Sequence, residues 1–210
     1  MYKLITMQRI LIPIFLFFAV AIGFYPLFYI IFDMGNGLLN SKSAELLSNR
    51  LWLLGFYTHI SFGGLALLSG CTQFLPRLRQ KRLGLHRSLG KIYVVSVLLS
   101  GIAGLGIAAT ASGGVFAQLG FGTLAVLWLY TTIQAYLTIK RKEVMLHQHW
   151  MTRSYALCFA AVTLRLWLPL FLGALGMRFS EAYPIIAWLC WVPNLVVAEW
   201  IIRRAKPSFA

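Results

Sequence analysis

The segment "HQHWMTRSYALCFAAVTLRLWLP", His147 to Pro169, opens with two histidines and Arg153 and then turns apolar, with Arg165 set among the apolar residues. At 1.5 Å per residue of helix, Arg165 lies about 18 Å beyond Arg153 along the axis. A guanidinium that far inside an apolar run implies a protein interior within a membrane. The rest of the chain agrees. Of 210 residues, 60% are hydrophobic and 11% are charged. Water-soluble domains carry about 25% charged residues, so this chain lacks the charge to cover a water-facing surface.

Six apolar runs have the length of about 20 residues that spans a bilayer: Ile10–Phe32, Leu51–Leu75, Leu89–Ala111, Val115–Ile139, Trp150–Leu172 and Ala182–Ile202. Each is expected to be helical, because lipid offers the backbone no hydrogen-bond partner. The expected fold is all-α: one domain over residues 1–210, a polytopic bundle of six transmembrane helices. The first run follows Lys3 and Arg9 like a signal peptide. Its apolar core is longer than the 7–15 residues of a secretory signal, which favours a retained anchor.

The net charge of +14 reflects where the cations sit rather than nucleic-acid binding. One set of loops holds 15 of the 19 Lys and Arg: Lys3, Arg9, Arg77, Arg79, Lys81, Arg82, Arg87, Lys91, Lys140, Arg141, Lys142, Arg153, Arg203, Arg204 and Lys206. The alternate set holds Lys42, Arg50 and Arg178. Basic loops stay on the cytoplasmic side, which places both termini there and the protein in the cell (inner) membrane.

Cys71, Cys158 and Cys190 lie within apolar runs and outside any CxxC pattern, so they are expected to be free and to pack as small hydrophobes. Ser96, Ser100, Gly104 and Ala108 recur every four residues, a small-residue stripe suited to close helix contact and, as an expected partner surface, to oligomer formation. Gly63-Gly64 and Gly113-Gly114 read as packing and turn residues, and Pro13, Pro26 and Pro193 as kinks.

With orientation assigned, depth follows. His59 lies about 12 Å below the outer boundary, and Arg165 about 8 Å below it. They form one expected interior polar site, to which Glu199 is added as the acidic residue within the last run. Gln73, His86, Arg87, His147, His149 and Arg153 gather at the cytoplasmic end. His149 and Arg153 are one turn apart, and Glu199 is the natural ion-pair partner for Arg153 or Arg87. Neutral imidazoles ligate haem iron, so His86 with His149 or His147 forms the candidate iron-ligating pair, and Arg87, Arg153 and Gln73 complete a candidate cofactor site for haem b or a quinone. Nothing forms a nucleophilic triad, a phosphate-binding glycine loop or a carboxylate pair, and no catalytic residue is assigned.

Three stretches, "HISFGGLALLSGCTQFLPRLR" (His59–Arg79), "HRSLGKIYV" (His86–Val94) and the opening segment, together resemble an uncharacterised bacterial family of predicted multi-pass membrane proteins, a domain of unknown function. The resemblance implies that His59, Gln73, His86, Arg87, Gly90, Tyr93, His149, Trp150, Met151, Arg153 and Arg165 belong to the family pattern. In size and histidine placement the family is loosely similar to small haem-binding membrane cytochromes, an analogy only. The functional expectation is a membrane protein with a His/Arg-lined interior site, read as a b-type-cytochrome-like haem- or quinone-binding redox module. The alternatives are a small-anion or lipid binding or transport protein and a non-catalytic membrane assembly subunit.

Overall fold

A computed structural model describes residues 2–31 and 38–204, with the side chains of 2–12, 30, 38 and 40 left out of the description. Phe32, expected to end the first span, and Lys206 lie outside the described residues, as do the side chains of Lys3 and Arg9. Every regular element described is helical: α1 (Tyr2–Gly23), α2 (Tyr25–Ile31), α3 (Ala44–Ser48), α4 (Arg50–Cys71), α5 (Pro76–Lys81), α6 (Leu83–Ala108), α7 (Gly114–Lys140), α8 (Val144–Cys158), α9 (Ala160–Pro169), α10 (Phe179–Leu189) and α11 (Val192–Arg204), with short 3-10 and π turns between some of them.

Five helical stretches are long and apolar enough to cross a membrane: Arg50–Phe74, Leu83–Ala108, Gly114–Lys140, Val144–Ala174 and Phe179–Arg204. They run past the expected boundaries at most ends, because basic and interfacial residues continue the backbone hydrogen bonding beyond the apolar core. The apolar helical stretch Pro13–Tyr29 is shorter. It is broken at Phe24, two residues before Pro26, which has no N–H to donate and whose ring crowds the preceding turn. Pro193 acts likewise near the break between α10 and α11, whereas Pro13 stays inside α1.

The helices pack largely in chain order: α1 on α4, α4 on α6, α6 on α7, α7 on α8, with α10 against α7 and α9, and α11 against α8. Small residues set the close approaches. A Cβ at Gly64 would stand 2.5 Å from the Gly23 carbonyl oxygen, which brings α1 onto α4. A Cβ at Gly63 would stand 3.2 Å from Ser100 Oγ of α6. Gly113 and Gly114 take positive φ values of 94° and 74° and turn the chain between α6 and α7, as expected of that pair.

The small-residue stripe of α6 is spent inside the chain. Ser96, Ser100, Gly104 and Ala108 are all buried, and Ser100 and Gly104 face His59 of α4. α4 of the same chain packs along α6 at Ser100 and Gly104. The three cysteines are free and buried, as expected.

At the centre, buried hydroxyls join three helices. Tyr93 Oη of α6 lies 2.6 Å from Ser154 Oγ of α8, and Thr132 Oγ1 of α7 lies 2.6 Å from the same oxygen. Tyr155 Oη donates to the Leu67 carbonyl at 3.0 Å, tying α8 to α4. In a medium without water such groups must satisfy one another. Gly70 makes room for both tyrosines, since a Cβ there would stand 2.5 Å from Tyr155 Cε2 and 2.7 Å from Tyr93 Cε2. Gly70→Leu is therefore expected to destabilise the detergent-solubilised protein by about 1–3 kcal/mol through overpacking. Thermal melting of the purified variant measures this, and an unchanged midpoint would mean that the two rings move aside freely.

Candidate functional site

Two long helices that supply the site are both interrupted, and the interruptions face each other. The stretch from Val144 breaks at Phe159, and the stretch from Phe179 breaks at Cys190 and Trp191. Breaks leave carbonyls without intrahelical donors, which hydrocarbon does not supply. Here Asn194 Nδ2 donates to the Ala156 carbonyl at 3.2 Å and to the Cys190 carbonyl at 2.9 Å. Thr163 Oγ1 donates to the Cys190 carbonyl as well, and Asn194 Nδ2 lies 3.1 Å from Thr163 Oγ1. This seam fixes α9, which carries Arg165.

Beside the seam is a cavity of about 230 Å³. His59 and Arg165, assigned to one depth from sequence spacing, both line it. Ordinary small-molecule pockets are about 300–1,000 Å³, so this one suits a head group, a short chain or a single ring. Most of its wall is apolar or glycine and alanine. Arg165 Nη1 donates to the Ala161 carbonyl of its own helix at 2.7 Å, and its Cζ sits 4.3 Å from the centre of the Tyr25 ring. Tyr29 and Tyr183 lie within electrostatic reach of the same guanidinium. Arg165 has no carboxylate partner among the described residues.

His59 is held from one side. Its Nδ1 lies 2.9 Å from the Ser100 carbonyl oxygen, and Ser100 Oγ donates to the His59 carbonyl at 2.8 Å. Gly104 permits this, because a Cβ there would stand 2.7 Å from His59 Nδ1. A second cation lines the cavity: Lys42, from the segment between α2 and α3. Its Nζ donates to the Thr110 carbonyl at 2.6 Å and to Ser112 Oγ at 3.1 Å. Burial pulls the Lys42 ammonium below the usual lysine value. No carboxylate lines the cavity among the described residues.

The remaining predicted site residues sit elsewhere. Glu199, grouped above with His59 and Arg165, does not line the cavity. It pairs with Arg153, as the other expectation for it had it: Arg153 Nε donates to Glu199 Oε1 at 2.5 Å and Nη2 to Oε2 at 3.0 Å. α11 packs on α8, and that contact brings the pair together. Arg153 also lies 4.7 Å over the Trp150 ring. Gln73 packs at Gly90, where a Cβ would stand 3.3 Å from its Oε1. His147 Nδ1 bonds the Ala135 carbonyl at 2.8 Å. His147 lies within electrostatic reach of His86, and His149 within electrostatic reach of Glu199. His86 Nδ1 is buried without a hydrogen-bond partner. Arg87 is exposed. None of Gln73, His86, Arg87, His147, His149 and Arg153 lines the cavity, and no cluster of three His, Cys, Asp or Glu side chains occurs among the described residues.

The pattern of a family described as "predicted membrane protein (DUF2306)" matches residues 56–202. The chain belongs to this family. The match takes in His59, Ser100, Arg165 and both interrupted helices, and leaves out Tyr25 and Lys42. The function of the family is unknown, and the comparison does not connect it to haem cytochromes. No curated protein and no solved structure matches the chain.

Sequence reasoning passed over Lys42, Tyr25 and the pairing role of Ser100. Lys42 counted only as a loop charge, and Ser100 only as a small residue. The Arg153–Glu199 side chains keep 22% and 36% of their exposure, which limits what the pair contributes. A double-mutant cycle with Arg153→Ala and Glu199→Ala is expected to give a coupling of about 0.5–1 kcal/mol. A coupling of several kcal/mol would show that lipid, not water, surrounds the pair.

Proposed function

We propose that the protein is a binding or transport protein of the cell membrane whose ligand is a small anion or an anion-headed amphiphile, held in the cavity by Arg165. One observation carries this reading: two cations, Arg165 and Lys42, line a mostly apolar cavity that no carboxylate of the described residues shares. A guanidinium without a carboxylate partner in a low-dielectric interior favours an anionic or strongly accepting ligand. The apolar wall suits a hydrocarbon portion beside the head group. The segment ahead of α4 forms a sixth crossing, and both termini are cytoplasmic, because the cation-rich loops alternate with the cation-poor ones. That topology places the cavity in the outer half of the bilayer.

Native mass spectrometry of the detergent-purified protein with added octyl phosphate tests the ligand reading. Wild type is expected to retain the amphiphile, and Arg165→Leu to lose at least tenfold in apparent affinity while still folding. Equal retention by both would remove the reading. The topology is tested by reporter fusions: a phosphatase active only outside the cytoplasm should be silent at either terminus, and activity at one terminus alone would leave an odd number of crossings.

A second reading, a haem held at the opposite end, has one observation in its favour: the buried His86 Nδ1 without a hydrogen-bond partner among the described residues. A Soret band in the reduced-minus-oxidised spectrum of the purified protein, lost in His86→Ala, would support it, and a flat difference spectrum would end it.

A further inference from the structure

The hydrogen bonds around His59 specify more about the ligand than its charge. A carbonyl oxygen only accepts, so the 2.9 Å contact between His59 Nδ1 and the Ser100 carbonyl puts the ring hydrogen on Nδ1. The Ser100 hydroxyl is occupied in turn, donating to the His59 carbonyl. A neutral imidazole with its hydrogen on Nδ1 presents a lone pair at Nε2. His59 Nε2 makes no hydrogen bond among the described residues. The buried polar atoms left unpartnered there are His86 Nδ1 and Trp191 Nε1, so His59 Nε2 is not sealed off by protein. His59 lines the cavity, and so does Arg165, which lies within electrostatic reach of it. The cavity therefore combines fixed donors, from Arg165 and Lys42, with an acceptor that protein leaves open.

A sulfate ester or a carboxylate satisfies the donors and leaves Nε2 unpaired. An oxyanion that keeps one hydroxyl satisfies both. We infer that the ligand carries a monoprotonated phosphate-type head group, whose anionic oxygens accept from Arg165 while its remaining hydroxyl donates to His59 Nε2. The inference rests on the anion-site reading above and adds the class of head group. The same chemistry belongs to a lipid-borne phosphate monoester and to free phosphate.

Octyl phosphate and octyl sulfate share a chain and a tetrahedral head group, and only the phosphate can keep a hydroxyl. At about pH 6, near its second pKa, roughly half of the phosphate retains that proton. Titration of the full-length protein in detergent, followed by calorimetry, is expected to show about tenfold tighter binding of octyl phosphate, as befits one acceptor left unpaired by the sulfate. His59→Phe is expected to bind both equally. Arg165→Gln is expected to weaken both. Equal binding by wild type, with Arg165→Gln weakening both, would overturn the head-group assignment and leave the anion site standing. A preference that persists in His59→Phe would report charge alone and overturn the assignment as well. Failure of wild type to bind either probe, or indifference to Arg165→Gln, would remove the anion site itself. Equal binding by wild type overturns the assignment without any variant, and His59→Ala supplies the same control if His59→Phe misfolds against Gly104. Inorganic phosphate as a third probe separates the sources: affinity equal to octyl phosphate assigns a free anion, and weaker affinity assigns a lipid-borne head.

Discussion

Hydrocarbon has no hydrogen-bond partner for a guanidinium, and an arginine in a spanning helix must therefore find its solvation within the protein. Arg165 does so with a backbone carbonyl one turn back, the face of Tyr25 and a cavity. Two of these are supplied by other segments of the chain. The position of α2 over α9, and the existence of a void between α4, α6, α7 and α9, are both conditions for the charge to be tolerated.

The same demand shapes the backbone around it. Interrupting a helix in lipid exposes carbonyls, and the two interruptions here are tolerable because they face each other across one amide. Asn194 reaches carbonyls on both sides of the seam, and Thr163 adds a hydroxyl. The buried Tyr93, Ser154 and Thr132 hydroxyls obey the rule one layer away. Polar groups in this bundle are few and nearly all turned toward each other. His59 Nε2, His86 Nδ1 and Trp191 Nε1 depart from that pattern among the described residues.

The two clusters differ in kind. At the end with His86 and His147, the basic residues are mostly exposed, and Arg153 already has its carboxylate in Glu199. Around Arg165 the cations lack such a partner among the described residues. Imidazoles and arginines alone do not distinguish the clusters, because the same residue types serve both. The distribution of carboxylates does, and it shifts the weight of the functional reading from a redox cofactor toward an anionic ligand.

Much of this protein was legible from the chain alone. Composition and run length pointed to an all-helical membrane bundle, because continuous apolar runs of about 20 residues span hydrocarbon as helices. Helical rise assigned His59 and Arg165 to one depth, and both line the cavity, while the scarcity of acids pointed Arg153 or Arg87 to Glu199. What the sequence could not decide is azimuth, the direction in which each helix turns its faces, since rotation about an axis depends on packing against every neighbour at once. Tertiary structure therefore decided that Ser100 and Gly104 of the α6 stripe face His59 of α4, that Arg153 rather than Arg87 pairs with Glu199, and that Glu199 does not line the cavity with Arg165. It alone brought Lys42, distant in sequence, to the cavity wall and the Tyr25 ring to Arg165, because a void belongs to no single segment and exists only once several helices have closed around it.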